Sequence, residues 1–155
     1  MAARGSTMVS ALEAHLGYWL RFVSNQVSHA FSLKLEALDV TVAEWVVLRE
    51  LYDVESGVPS AIAERMGVTR GAISKLVDRL EAKSLVTRTA SEGDRRYQAL
   101  TLTKAGQRLV PQLSALADQN DAEFFGHLSR AERRAIEEAM REIVRRFGLR
   151  SVPVE

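Results

Sequence analysis

The amino-acid sequence predicts a mainly α-helical fold with one short β-hairpin. The chain of 155 residues contains only three prolines, so long stretches are free to form helices. Apolar residues recur at intervals of three and four along most of the chain, which is the spacing of amphipathic helices. Between residues 85 and 102 that spacing gives way to a pattern typical of two strands. We therefore expect long helices at both ends and a small hairpin between them.

The two ends of the chain are predicted to form long helices. The first runs from residue 9 to about residue 35, a length of about 40 Å at the usual rise per residue. Thr103 can cap another long helix, and Ser129 with Glu132 forms a capping box before the last one. Because one small core cannot cover so long an apolar face, we expect these helices to pair with a second copy of the chain. The alternative is that they pack only on the central part of their own chain.

Three short helices and the hairpin are predicted in the centre. Thr41-Val-Ala-Glu44 has the form of a capping box and opens the first of these helices. The other two cover residues 60–66 and 70 to about 83, and only Gly67-Val68-Thr69 separates them. The strands are predicted at residues 85–89 and 97–102, with a turn at residues 91–94.

The segment from residue 60 to residue 83 fits a helix-turn-helix. Ala63 is small where the second helix must cross closely, Gly67 allows the positive φ of a tight turn, and Thr69 stands where an N-cap is needed. The predicted buried seam consists of Ile62, Met66, Val68, Ile73, Leu76, Val77 and Leu80. The second helix of such a pair enters the major groove of DNA. The candidate DNA contacts are Ser60, Thr69, Arg70, Gly71, Ser74, Lys75 and Arg79.

The charges are unevenly distributed along the chain. In total 21 Lys and Arg stand against 20 Asp and Glu, and the resulting net charge of +1 by itself predicts no nucleic-acid partner. Residues 65–108 contain ten Lys or Arg and four Asp or Glu, a net charge of +6, which leaves eleven against sixteen and −5 elsewhere. The basic region therefore coincides with the helix-turn-helix and the hairpin. The alternative is a helical hairpin whose charged face is only solvated.

The predicted hairpin turn carries Ser91-Glu-Gly-Asp-Arg-Arg96, which places paired arginines on a projecting loop, or wing, beside the second helix. Arginines on such a wing can enter the narrow minor groove of DNA. The helix-turn-helix followed by Asp94-Arg95-Arg96, five residues and Leu102-Thr103 resembles the Asp-x-Arg-x5-Leu-Thr signature of the MarR family of bacterial transcriptional regulators. The order of elements is similar to that family over essentially the whole chain.

This resemblance implies a single domain over residues 8–155 after a flexible segment at residues 1–7. In it, a winged helix-turn-helix lobe (residues 41–102) lies between dimerisation helices at residues 8–40 and 103–150. The implied function is a homodimeric repressor that binds a pseudo-palindromic DNA operator and is released by a small ligand. By the same resemblance, Arg96 is the minor-groove arginine, Asp94 orients the wing, and Arg95 adds to the DNA-binding surface.

MarR-like proteins often bind small aromatic or phenolic acids in a crevice between the dimer helices and the DNA-binding lobe. Aromatic and cationic side chains on the first two predicted helices are candidates for such a pocket. They are His15, Tyr18, Trp19, Arg21, Phe22, Trp45 and Arg49. The alternative for each of them is ordinary packing in the core or the interface.

The sequence argues against several other classes of protein. It contains no cysteine, which removes disulfides, thiolate metal sites and thiol nucleophiles, and its three histidines are too dispersed for a metal site. We expect neither a metal nor a cofactor, and we find no catalytic motif that predicts an enzyme. The longest apolar run, residues 45–48, is far shorter than the ~20 residues of a membrane span, so we expect a cytoplasmic protein. A winged-helix module that contacts only proteins remains as an alternative.

Overall fold

The computed structural model describes residues 8–90 and 98–150, which form a mainly helical chain with a small sheet. Within these residues the α-helices are α1 (Leu16–Glu36), α2 (Val42–Tyr52), α3 (Pro59–Met66), α4 (Arg70–Ala82), α5 (Lys104–Phe125) and α6 (Arg130–Arg146). The strands β1 (Val86–Ala90) and β2 (Gln98–Leu102) pair antiparallel. This is the predicted fold class. The predicted flexible segment at residues 1–7 and the predicted turn at residues 91–94 lie outside the described residues.

Four helices begin where the sequence predicts a capping residue. In each case a side-chain oxygen accepts a hydrogen bond of 3.0 to 3.1 Å from the backbone N–H three residues further on. These residues are Thr41, Thr69, Thr103 and Ser129. At Thr41 and Ser129 the carboxylate of the glutamate at the third helical position accepts a hydrogen bond from the backbone N–H of the capping residue, so both predicted capping boxes are formed.

The first helix is shorter than the sequence predicts. The apolar spacing predicts one helix from residue 9 to about 35, but Leu12–Ala14 is a 3-10 turn and α1 begins only at Leu16. Between them the backbone of His15 is extended, with φ −96° and ψ 124°. The extended residue interrupts the helical hydrogen bonds, so the carbonyl oxygen of Glu13 has no helical backbone donor. Trp19 Nε1 donates a hydrogen bond of 2.9 Å to this oxygen.

The hydrophobic core joins the lobe to the ends of α1 and α5. Its fully buried members are Leu35, Val47, Leu48, Leu51, Ile62, Val77, Leu80, Val86, Leu100, Val110 and Leu113. Of the seven predicted seam residues, Met66 and Val68 are only partly buried and the other five belong to this core. Gly67 has φ 69° and ψ 28°, so the tight turn uses the left-handed conformation that the sequence predicts for it.

Lys83, at the C-terminal end of α4, connects that helix to the corner between α1 and α2. Its Nζ donates hydrogen bonds to Oε2 of Glu44 at 2.9 Å and to the carbonyl oxygen of Asp39 at 2.5 Å. The Glu44 side chain is buried, and the same carboxylate closes the capping box of α2. Because one buried carboxylate serves both helices, it fixes the end of α4 against the start of α2.

The helices α1 and α5 are joined by a polar cluster. Asn120 is buried, its Nδ2 donates to the carbonyl oxygen of Val27 at 3.1 Å, and its Oδ1 accepts from Lys34 Nζ at the same distance. Lys34 also lies 2.7 Å from a carboxylate oxygen of Glu123, and this hydrogen bond holds the pKa of that carboxyl below its ordinary value. These bonds require specific partners, so they fix the register of the two long helices.

Large apolar side chains are exposed on α6 and on the first half of α1. The helix α6 has no buried residue. Four apolar residues that share one face, Ile136, Met140, Ile143 and Val144, are 42 to 46% exposed. On α1, Leu16, Trp19, Leu20, Phe22 and Val23 are 43 to 70% exposed. Within the described residues of one chain these apolar faces are only partly covered, and their pairing with a second copy stays a prediction.

Two negative findings apply to the part of the chain that the structure describes. None of its helices combines the length and the apolar character needed to cross a membrane. Residues 8–90 and 98–150 also contain no group of three or more His, Cys, Asp or Glu arranged to hold a metal ion.

Candidate nucleic-acid interface

The helix α4 presents one polar face to solvent and buries the other. Ile73, Leu76, Val77 and Leu80 are buried, whereas the predicted contacts Arg70, Gly71, Ser74, Lys75 and Arg79 are all exposed. A Cβ added to Gly71 would have Thr69 Oγ1 at 3.9 Å as its nearest neighbour, so the surface around this glycine is open. The N-terminal part of α4 is therefore a small, basic and accessible surface, as entry into a DNA groove requires.

The remaining two candidates on the helix-turn-helix lie at helix starts. Ser60 is exposed in the first turn of α3, next to Pro59 at its start. Thr69 is exposed, and its Oγ1 accepts a hydrogen bond of 3.1 Å from the backbone N–H of Ala72. The hydroxyl oxygen of Thr69 thus has a structural partner already, and its role in DNA contact stays a prediction.

The hairpin that follows α4 is anchored at its base. Leu100 of β2 is buried and exchanges two backbone hydrogen bonds of 2.8 Å with Gly57. This antiparallel β-bridge attaches the loop before α3 to the outer edge of β2. The register pairs Val86 with Leu102 and Ala90 with Gln98, so residues 91–97 connect the two far ends of the hairpin. The candidate wing residues Asp94, Arg95 and Arg96 belong to that connection, outside the described residues.

Arg88 joins β1 to α4, although the sequence motifs do not single it out. Its Nη1 lies 2.8 Å from carboxylate oxygens of both Asp78 and Glu81, and its Nη2 lies 3.4 Å from the carbonyl oxygen of Ser74. Side chains alternate between the two faces of a strand, so Arg88 shares the inward face with the buried Val86. An arginine at an inward position of a predicted strand is the signal that indicates such a pair.

The candidate ligand residues form two groups within one chain. Tyr18 lies with its ring centroid 5.2 Å from that of Trp19 and 6.1 Å from that of Phe22, all on the exposed first half of α1. Trp45 instead packs edge-on against Phe31 at 6.4 Å. Phe31 is twelve residues beyond Trp19, about 18 Å along the helix, so a single chain does not bring the two groups into one pocket.

Two of the other candidate ligand residues, His15 and Arg49, have partners of their own. His15 Nδ1 lies 3.1 Å from the carbonyl oxygen of Ala11. Arg49 is held 2.6 Å from a carboxylate oxygen of Asp53, a hydrogen bond that raises the pKa of the guanidinium. Arg21 is exposed on α1. A separate apolar cavity of ≈ 180 Å³ between α5 and α6 is lined by Phe125, Leu128, Ile136 and Met140, with the paired Asp121 and Arg133 beside them.

A helix-turn-helix whose second helix presents a basic face, followed directly by a β-hairpin, defines a winged helix-turn-helix protein. Residues 38–96 match the sequence model of the MarR family. Among solved structures, the chain is similar to CouR from Rhodococcus jostii RHA1 bound to p-coumaroyl-CoA, with 26% identity and a TM-score of 0.78, over 94% of this chain and 100% of that chain. The match to the family model and the shared fold confirm the resemblance to the MarR family.

Two further structures are similar over most of their length. BpsR from Bordetella bronchiseptica, whose DNA binding is regulated by 6-hydroxynicotinic acid, is 26% identical with a TM-score of 0.78, over 88% of this chain and 97% of that chain. A transcriptional regulator of the MarR family from Rhodococcus sp. RHA1 is also 26% identical with a TM-score of 0.78, over 87% of this chain and 96% of that chain.

Proposed function

We propose that the protein is a ligand-responsive transcriptional repressor that binds a pseudo-palindromic DNA operator as a homodimer. The observation that carries this proposal is the exposed, small and basic face of α4 beside an anchored hairpin. The regulated DNA binding of BpsR, which shares the fold, supports it. One lobe of each protomer reads one half-site, and the two half-sites lie about 34 Å apart along one side of the duplex.

The homodimer is proposed because the exposed apolar faces of α1 and α6 need a cover. A helix with the sequence of α6 gains little stability alone, because most of the stability of an amphipathic helix comes from packing of its apolar face. A second copy of the chain supplies matching faces, and a two-fold interface buries the same patch on both partners. It also brings the first half of α1, with Tyr18 and Trp19, to a second chain.

The proposed effector is a small aromatic or phenolic ligand. The ligands of BpsR and CouR, 6-hydroxynicotinic acid and p-coumaroyl-CoA, both carry a hydroxylated ring, which supports this chemical class. The aromatic group of Tyr18, Trp19 and Phe22, in which Trp19 and Phe22 are exposed, offers flat apolar contacts, and the dimer is needed to enclose it. Such a ligand acts by favouring a spacing of the two lobes that does not match adjacent major grooves, which lowers operator affinity.

Selection of bound duplexes from a random pool is the direct test of the DNA-binding proposal. We expect an enriched inverted repeat with half-sites one helical turn apart. Enrichment of no sequence would favour the other candidate, a winged-helix module that contacts only proteins through its basic face. The same experiment reports three properties at once. Enrichment identifies DNA as the partner, an inverted repeat indicates a two-fold symmetric dimer, and the distance between the repeats gives the spacing of the half-sites.

We predict that the affinity for the selected duplex falls steeply with salt. Arg70, Lys75 and Arg79 are exposed on α4 in each lobe, so a dimer offers six cations to phosphates. At the usual contribution per neutralised phosphate, log affinity plotted against log salt should have a slope of about −5. Fluorescence anisotropy over a range of potassium chloride concentrations measures it. A flat titration would rule out phosphate binding by this face.

We also predict that an aromatic carboxylic acid stabilises the protein and releases it from DNA. A ligand present at about a hundred times its dissociation constant raises the free energy of unfolding by about 2.7 kcal/mol, which a thermal-shift screen detects easily. Salicylate, 4-coumarate and 6-hydroxynicotinate are suitable probes, with the saturated analogue cyclohexanecarboxylate as a matched control. Equal shifts with cyclohexanecarboxylate, or no shift with any probe, would contradict an aromatic effector.

A further inference from the structure

The guanidinium of Arg88 connects the two elements that the proposed function places on DNA. The hairpin β1–β2 carries the wing, and α4 carries the major-groove contacts. Nη1 of Arg88 lies 2.8 Å from Asp78 and 2.8 Å from Glu81, and Nη2 lies 3.4 Å from the carbonyl oxygen of Ser74. These partners lie on successive turns of one side of α4, so a single side chain from β1 spans half the length of the helix.

A hairpin of two strands has little stability of its own. The β-bridge between Gly57 and Leu100 attaches the hairpin to the loop before α3. Leu100 is also paired with Arg88 in the register of the two strands. Arg88 adds a second attachment on the opposite strand, directed at α4 instead of at the loop before α3. The Arg88 side chain is 25% exposed, whereas Asp78 is 61% and Glu81 37% exposed, so the ion pairs are shielded from solvent mainly on the side of the guanidinium. The pair with Glu81 is the better shielded of the two and is therefore the stronger attachment.

We propose that Arg88 is a positioning residue that fixes the wing relative to α4, so that both elements reach their DNA grooves at the same time. This inference rests on the proposed function. It explains why two carboxylates occur on the same solvent-facing side of α4 as the proposed DNA contacts: Asp78 and Glu81 hold the guanidinium. Because one guanidinium pairs with both carboxylates, much of their repulsion of the DNA backbone is also offset.

The double substitution Asp78→Ala/Glu81→Ala tests this proposal because positioning and simple electrostatics predict opposite results. Removing two negative charges from the lobe makes it more positive, so electrostatics alone predicts tighter binding to DNA. Loss of the attachment instead predicts weaker binding, and we expect the affinity for the selected duplex to fall about tenfold. Unchanged or tighter binding by a folded, dimeric variant would overturn the proposal.

The matched control is Glu55→Ala/Glu64→Ala, which removes two exposed carboxylates from the same lobe at positions away from Arg88. We expect this control to bind DNA as well as the parent protein or more tightly. Arg88→Lys keeps the charge but loses the planar fork that reaches three acceptors, so we expect it to bind more weakly than the parent. Circular dichroism and size-exclusion chromatography establish that each variant is folded and assembled before binding is measured.

A further readout separates positioning from a general loss of stability. If Arg88 places the wing, then Arg96→Ala should cost much less affinity in the Asp78→Ala/Glu81→Ala background than in the parent. Additive losses in this cycle would mean that the wing is placed without Arg88, which contradicts the proposal. If the parent protein itself selects no duplex, the proposed function has failed, and that result is distinct from a failure of the role of Arg88.

Discussion

Met140→Glu/Ile143→Glu is expected to convert the protein to a monomer and to remove specific DNA binding. Both residues lie on the apolar face of α6, and both are nearly half exposed in the single chain. Water reaches a carboxylate at either position in the isolated protomer, so the cost there is smaller than in a covered interface, although Met140 also lines the apolar cavity between α5 and α6. In the proposed dimer the same two positions are covered by the partner, and burying four unpaired carboxylates per dimer costs several kcal/mol for each.

The effect on DNA binding follows from the two-fold symmetry of the proposed complex. A monomer engages only one half-site, so its affinity approaches the non-specific level. Specific binding is typically at least a thousandfold tighter than non-specific binding, and we expect a loss of about that size. Multi-angle light scattering gives the mass of the variant, and fluorescence anisotropy with the selected duplex gives the affinity.

Ala131→Glu/Ala135→Glu is the matched control for this double substitution. It introduces the same two carboxylates on α6, at exposed positions about a third to almost half a turn away from the apolar face. We expect this variant to stay dimeric and to bind DNA with nearly the affinity of the parent. Dissociation of both variants would mean that added charge alone breaks the dimer. A Met140→Glu/Ile143→Glu variant that remains dimeric would show that α6 lies outside the interface.

Local features of the fold could be predicted from the sequence because their causes are local. A capping box needs two side chains three residues apart, and Thr41 and Ser129 each form one as predicted. Gly67 adopts a positive φ because the turn between α3 and α4 is too short for another conformation. The break before α1 could not be predicted, because the apolar spacing continues through Leu12 and Leu16 while the break depends on hydrogen bonds to the backbone.

The candidate site divides in the same way. The exposed face of α4 could be predicted, because helical periodicity separates Arg70, Ser74 and Lys75 from the buried seam. The inward position of Arg88 on a predicted strand indicates that it needs an acidic partner, but the identity of that partner, Asp78 and Glu81, could not be predicted because it depends on how β1 lies against α4 in three dimensions. The aromatic residues illustrate the same limit: Trp19 and Trp45 have similar sequence signals, yet Trp45 packs against Phe31, far along α1 from Trp19.

Arg96→Ala is expected to lower operator affinity about a hundredfold without affecting the dimer. The hairpin brings its strand ends together at Ala90 and Gln98, and the seven residues 91–97 between them carry Arg96. In the proposed complex this arginine enters the minor groove at each half-site. Loss of one such contact costs about 1.4 kcal/mol, or tenfold, so two half-sites give about a hundredfold. Light scattering should show an unchanged mass, because the proposed dimer interface is formed by α1 and α6, whereas residues 91–97 connect β1 to β2.

Two comparisons separate minor-groove contact from simple loss of charge. Arg95→Ala removes the same charge from the neighbouring position. We expect this variant to lose less affinity than Arg96→Ala, and by the same factor for every duplex. Replacing A·T pairs at the wing contact by G·C pairs puts the guanine amino group into the minor groove and widens it. This replacement should weaken binding by the parent protein and leave the affinity of Arg96→Ala almost unchanged, because that variant no longer makes the contact. If the same replacement weakens both proteins equally, Arg96 does not read the minor groove, and the wing contributes to binding only through its charge.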